Sequence, residues 1–270
     1  MGQLETINKV TCPSTIQSLQ RDLKALGVQA GMDLIVHSSL KSIGWISGSA
    51  HAVVLALMET VSQEGTLVMP THSPSLSEPS YWVNPPIPES WWTKVRETMP
   101  AFDPLVTPSE CMGVIPEVFR SFPHTVRSYH PSASFTAWGK KSLSFTGSHS
   151  LNDSFSDSSP LGALYRSEAA ILLIGVGHES NTSLHLAESR IPSFPKEKQG
   201  GPILFEGNRI WQEFEDYEYD SDDFSKLGEE FESKEKIQIG LLGSAQAKLI
   251  PMKAIVDFAT EWIPKNRNIK

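Results

Sequence analysis

The chain has 270 residues, 39 % of them hydrophobic and 20 % charged, enough to bury a full core in one large domain or two modest ones. A formal net charge of -8 works against nucleic acid and anionic membrane surfaces and favours a cationic small-molecule partner. The two cysteines, Cys12 and Cys111, exclude a disulfide framework and lie in no paired metal-ligand spacing, so no metal is expected.

No apolar run reaches the roughly 20 residues that span a bilayer, and Met1 to Val10 lacks the apolar centre of a signal peptide. A cytoplasmic location is the expectation. Thr11 to Gly27 reads as an amphipathic helix with Ser14 as N-cap and Ile16, Leu19, Leu23 and Leu26 on one stripe. Asp33 to Val36 is then a strand. It runs into a loop from His37 to Ala50 that is dense in serine and glycine, and a helix follows on Val53, Val54, Leu57, Met58 and Val61. Such a loop offers hydroxyls and N–H groups to an anionic or carbonyl oxygen, although an ordinary connection has the same composition. It matches neither a Walker loop nor the dinucleotide glycine pattern. Gly65 to Thr71 is a second strand, so strand, helix and strand form a crossover unit of an α/β sheet.

From His72 to Pro108 eight prolines deny long ladders, while Tyr81, Trp82, Trp91 and Trp92 supply large apolar bodies. A short helix fits Ser90 to Met99, and the excursion suits a binding site or a homodimer contact. Ser109 to Phe122 has helical patterning, and Cys111 beside Met112 on its apolar face is expected to be a buried, inert thiol. Arg127 to Gly139 is a polar turn and a short strand, Ser142 to Thr146 a further strand or turn, and Ser159-Pro160 opens a helix.

Ala170 to Gly177 is an apolar run suited to a buried strand, followed by Asn181-Thr182-Ser183-Leu184-His185-Leu186-Ala187-Glu188. With Thr182 as N-cap, His185 and Glu188 fall one turn apart on the same helix face. A histidine beside a carboxylate at a strand's carboxyl end is a candidate general base, and a surface histidine on an ordinary helix is the alternative. Beyond Pro192, Gly200 to Ile210 reads as strands joined at Gly207-Asn208. The acidic stretch from Glu213 to Asp223 is either a solvated face or an attractor for a polyamine. A last helix carries Val256, Phe258, Ala259 and Trp262 and ends near Pro264.

Six stretches together resemble the aminoglycoside 3-N-acetyltransferases, the antibiotic N-acetyltransferase family. They are Val36-His37-Ser38-Ser39-Leu40 with Ile43-Gly44, Gly65 to Thr71, Met112-Gly113 with Pro116-Glu117 and Phe119-Arg120, Arg127-Ser128 with His130-Pro131 and Ser134, Ser159-Pro160-Leu161, and Asn181 to Glu188. They occur in the family's order between residues 10 and 191, and the acidic part 192–270 of the same single domain is less diagnostic. The resemblance implies an α/β sandwich with a mixed central sheet and helices on both faces. It also implies acetyl-coenzyme A as donor and the 3-amino group of a 2-deoxystreptamine ring as acceptor. The implied coenzyme A site comprises His37, Ser38, Ser39, Leu40, Ile43, Gly44, Ser49, Met112 and Ser134, and the implied catalytic histidine is His185. Glu188, or a nearer carboxylate, is the candidate to orient its ring. Gly48-Ser49 departs from the two glycines of many members, and the added side chain is expected to narrow the coenzyme channel.

The chemistry requires a neutral amine, so a base must take its proton, and histidine suits that task. Backbone groups from Ser38 to Leu40, or Ser134, are candidates to hold the thioester oxygen as it gains charge. Lys41, Arg120 and Arg127 are candidate phosphate partners. Carboxylates must line a polycation's pocket, and Asp103, Asp153 and Asp157 are the expected contributors. A coenzyme A-binding relative that acts on another amine, or on none, is the competing reading.

Overall fold

The computed structural model describes residue 7 and residues 10–269. Nine strands form two sheets: β1 (Asp33–Ser38), β2 (Thr66–Pro70), β3 (Val126–Arg127), β4 (Phe135–Gly139), β5 (Ala170–Ile174), β6 (Lys196–Phe205), β7 (Asn208–Tyr217), β8 (Gln238–Leu242) and β9 (Ala245–Pro251). Seven of them make one mixed sheet in the order β3-β4-β2-β1-β5-β9-β8, and β6 and β7 form a separate hairpin. β1 pairs in parallel with β2 and with β5, while β4 and β9 join antiparallel on either side.

Alternation along the central strands divides the core in two. Leu34, Val36, Leu67, Met69, Leu172 and Ile174 face one layer, and Ile35, Val68, Ile171 and Leu173 face the other. The first layer receives Leu19, Leu23 and Leu26 of the helix Ile16–Leu26, Val53 and Leu57 of Ser49–Val61, and Ile115 and Phe119 of Val114–Phe119. The second receives Leu161 and Leu164 of Pro160–Arg166, Phe224 and Phe231 of Phe224–Lys234, and Ile255, Val256 and Ile263 of Met252–Asn266. Strands buried on both faces explain the continuous apolar runs at 34–36 and 170–174.

Local chemistry moved several boundaries. Thr15 rather than Ser14 caps the first helix: its Oγ1 accepts from Ser18 N–H at 3.2 Å, and Ser18 Oγ accepts from Thr15 N–H at 2.8 Å. The helix expected over 109–122 is confined to Val114–Phe119, because Cys111 (φ 62°) and Gly113 (φ 84°) are left-handed. Cys111 is consequently exposed, not buried. Ser142–Thr146 is a helix, not a strand or turn. The hairpin is longer than expected and turns at Glu206-Gly207, both left-handed as a tight primed turn requires. Residues 213–217 of the acidic stretch are therefore strand. The last helix runs to Asn266, two residues beyond Pro264.

The Trp-rich excursion packs on the hairpin. Phe102 N–H donates to Pro202 O at 2.9 Å, and Leu76, Met99 and Phe102 share a small core with Trp82 and Trp211.

Candidate active site

Three segments that leave the carboxyl ends of β1, β2 and β5 open around a cavity of about 650 Å³. β1 delivers His37 and Ser38, the segment after β2 delivers His72, and the segment after β5 delivers Val176, Glu179 to Thr182 and His185. This is where open parallel strands leave room for ligands. Cys111, Met112, Gly113, Phe155, Ser221 and Phe224 complete the wall. A second cavity of about 580 Å³ is lined by Gly44, Trp45, Ile46, Gly48 and Ser49, and both cavities share Leu40, Lys41 and Val114.

His185 opens a short helix, His185–Ser189, after a 3-10 turn over Thr182–Leu184. The cap of that turn is Asn181 rather than Thr182, and its Oδ1 accepts from Ser183 N–H at 3.3 Å. One helical turn brings Glu188 to His185, with Nδ1 to Oε2 at 2.6 Å. The carboxylate can only accept, so Nδ1 carries the proton, and in the neutral tautomer the lone pair is on Nε2. Glu188 is fully buried, and its other oxygen accepts from Arg267 and, at 3.2 Å, from Asp220 N–H. Arg267 also holds Asp223 through its Nε at 2.8 Å. Burial pulls the Arg267 charge down, but the Asp223 and Glu188 hydrogen bonds more than offset it and raise its pKa. The imidazole stacks on Phe155 with centroids 5.2 Å apart and meets Tyr219 and Phe224 edge-on or tilted. Orientation, tautomer and packing of His185 are thus all fixed from behind.

Of the expected coenzyme residues, His37, Ser38, Ser39, Leu40 and Met112 line the first cavity, and Gly44 and Ser49 the second. Ile43 belongs to the core. Ser134 is fully buried and away from both cavities, its Oγ donating to Thr71 O at 2.9 Å and accepting from Arg127 Nε–H at 2.9 Å. Ser39 N–H is committed to Ile174 O at 2.9 Å, and Leu40, as the first residue of the helix Leu40–Ile43, has an N–H without a partner inside that helix. Ser49 sits at φ 53°, the left-handed region where glycine is at no cost. Lys41 lines both cavities. Arg120 instead pairs with Glu117, and Arg127 is buried against the carbonyls of Thr71 and Thr107.

Asp103, Asp153 and Asp157 are absent from the cavity wall. Asp103 accepts from Leu105 N–H at 2.8 Å, Asp153 pairs with Lys196 at 2.6 Å, and Asp157 pairs with Arg190 at 2.7 Å. The carboxylate that does line the cavity is Glu179, two residues beyond a glycine whose N–H it accepts at 2.8 Å. Among the described residues no group of three or more His, Cys, Asp and Glu is placed to hold a metal ion, and no helix is long and apolar enough to cross a membrane.

Sequence reasoning missed His72, Phe155, Glu179 and Arg267. His72 stands two residues past the end of β2 and Glu179 five past the end of β5, and that nearness to a strand's carboxyl end was the available signal. Arg267 carried none, since a lone arginine after a helix is ordinary.

Burial holds His37, His72, His130 and His149 below the usual histidine range. Burial lowers His37 and His72 to about 3 and His149 to about 4, and pushes His130 well below its usual range. The unfolded chain protonates each near pH 6.5, so their contribution to stability is complete above that pH and is lost as pH falls toward 4. Asp216, raised to about 6 by burial, opposes this with one proton of the other sign. The urea midpoint should fall clearly between pH 7.5 and 5.5, and an unchanged midpoint would contradict the burial of these rings.

The sequence profile of the aminoglycoside 3-N-acetyltransferase family matches residues 35–264. The chain is 45 % identical over 98 % of each sequence to the SPbeta prophage-derived aminoglycoside N(3')-acetyltransferase-like protein YokD of Bacillus subtilis (strain 168). It superposes on the crystal structure of YokD with a TM-score of 0.96 at 44 % identity, covering 97 % of this chain and 98 % of that one. AAC-IIIb in a binary complex with CoASH gives 0.84 at 28 % identity, covering 94 % and 97 %, and AAC-VIa bound to sisomicin gives 0.85 at 27 %, covering 95 % and 100 %. The protein belongs to the aminoglycoside 3-N-acetyltransferase family, and it is an acyltransferase.

Proposed function

We propose that the protein moves the acetyl group of acetyl-coenzyme A to the 3-amino group of a 2-deoxystreptamine aminoglycoside, by direct attack in a ternary complex, and thereby confers resistance. The observation that carries this reading is the His185 Nε2 lone pair, set by Glu188 in a cavity that shares Leu40, Lys41 and Val114 with a second one. Coenzyme A fits the second cavity, with its thioester reaching past Leu40 into the first. The wall supports a polar ligand: His37 Nε2 and Ser38 Oγ are buried without a partner, an arrangement that costs about 1–3 kcal/mol per group unless a ligand or water completes it.

In the reaction His185 takes a proton from the attacking amine as its nitrogen bonds to the carbonyl carbon. The Leu40 N–H holds the oxygen while it carries charge. The carbon–sulfur bond then breaks, and the proton on His185 passes to the departing thiolate. Glu179 supplies the negative wall for the acceptor's remaining ammonium groups.

Release of coenzyme A thiol from acetyl-coenzyme A, measured against a panel of aminoglycosides, tests this. Tight coenzyme A binding with no accepted aminoglycoside would instead support a family member that acts on another amine or none.

Cys111 lines the cavity and is exposed, so a covalent acetyl-cysteine route has to be tested directly. The thioester is already activated, and direct attack requires no such relay. Cys111→Ser should keep turnover within about threefold of the unsubstituted protein, well short of the 1.4 kcal/mol that makes a factor of ten. Complete loss in a folded variant would establish the acyl-enzyme route instead.

A further inference from the structure

His72 has a geometry that the acetyl-transfer scheme leaves unused. It follows β2 at the carboxyl edge of the sheet and lines the same cavity as His185. Its Nδ1 lies 3.1 Å from Ser134 O, and because a carbonyl only accepts, Nδ1 carries the proton. Nε2 is therefore a lone-pair nitrogen, and it is buried with no partner in the protein. Phe135 meets the ring edge-on at 5.1 Å and fixes its plane. Phe155 lies 5.4 Å from His72 and stacks on His185, so the three rings form one face of the cavity. The ring also stays uncharged, since burial lowers it to about 3 despite the Ser134 carbonyl. Charge on His185, His149 or His37 would lower it further, and no carboxylate stands among the groups that shift it.

A locked, neutral imidazole with an orphaned lone pair is built to receive an N–H or O–H, not to remove a proton. We propose that His72 Nε2 accepts a hydrogen bond from the bound acceptor amine or its neighbouring hydroxyl and so orients the nucleophile toward the thioester. His185 then deprotonates an amine already in position. This assignment rests on the acetyl-transfer reading above and adds a specificity-determining contact to it.

The test uses the full chain with acetyl-coenzyme A and sisomicin, comparing His72→Phe and His72→Gln with the unsubstituted protein. His72→Phe should raise the sisomicin KM by about tenfold, the scale of one buried hydrogen bond, with kcat lowered less. Coenzyme A affinity by calorimetry should not change. His72→Gln, whose amide oxygen accepts, should recover much of the sisomicin KM. The pH–rate profile should keep its shape in both variants, because a neutral ring does not titrate there. An unchanged sisomicin KM in folded His72→Phe, a defect in coenzyme A affinity instead, or loss of the acidic limb of the profile would each overturn the assignment. If the unsubstituted protein neither binds sisomicin when loaded with coenzyme A nor releases thiol with it, the functional reading fails and the assignment falls with it.

Discussion

Replacing His185 by alanine should lower coenzyme A thiol release by about 10²–10⁴-fold, the usual contribution of a positioned general base. Coenzyme A affinity should be retained, because the second cavity is lined by Gly44, Trp45, Ile46, Gly48 and Ser49 and does not include His185. The loss should appear in kcat and kcat/KM together, the mark of an interaction made in the transition state. Glu188→Gln separates orientation from basicity. A glutamine can still meet Nδ1, but it no longer stabilises the imidazolium, so an intermediate loss is expected. A His185→Ala protein with normal turnover would show that the base lies elsewhere in the cavity.

Arg267→Ala should be the most damaging substitution for stability. Glu188 is fully buried, and Arg267 neutralises it while also tying down Asp223. Removing one partner of a buried ion pair leaves the other charge uncompensated, at a cost of about 3–5 kcal/mol. For a chain of this size that corresponds to a fall in Tm on the order of 10 °C. Activity should drop as well, because Glu188 then has only Asp220 N–H and His185 to hold its position. Arg267→Lys keeps the charge and loses the two-armed contact, so it should lie between. Calorimetric Tm values for the three proteins check the order, and an Arg267→Ala protein as stable as its parent would show that Glu188 takes up a proton at no cost.

Part of the cavity wall was readable because it is local in sequence: His37 to Leu40 lie at the end of one strand, and His185 and Glu188 lie one helical turn apart. A coenzyme role for the His37 to Gly44 loop came from the resemblance alone. The residues proposed for the acceptor side come from distant parts of the chain, and single residues there gave no pattern. Asp103 and Asp157 were attractive as loop carboxylates beside motifs, yet each had a nearer use in a turn or an ion pair. Glu179 was passed over because it lies between motifs. The helix expected over 109–122 failed for a different reason: Cys111 and Gly113 take left-handed conformations that hydrophobic spacing does not report, and their turn brings a thiol to the cavity. Arg267 could be found only by following Glu188 to its partner 79 residues away.

That distance has a biochemical consequence. A protease that trims the chain after Asn266 would remove no residue of any strand or helix and none that lines either cavity. It would lack the guanidinium behind Glu188, and with it the buttress of the base. Circular dichroism of a preparation would not reveal the loss, whereas an intact-mass measurement would.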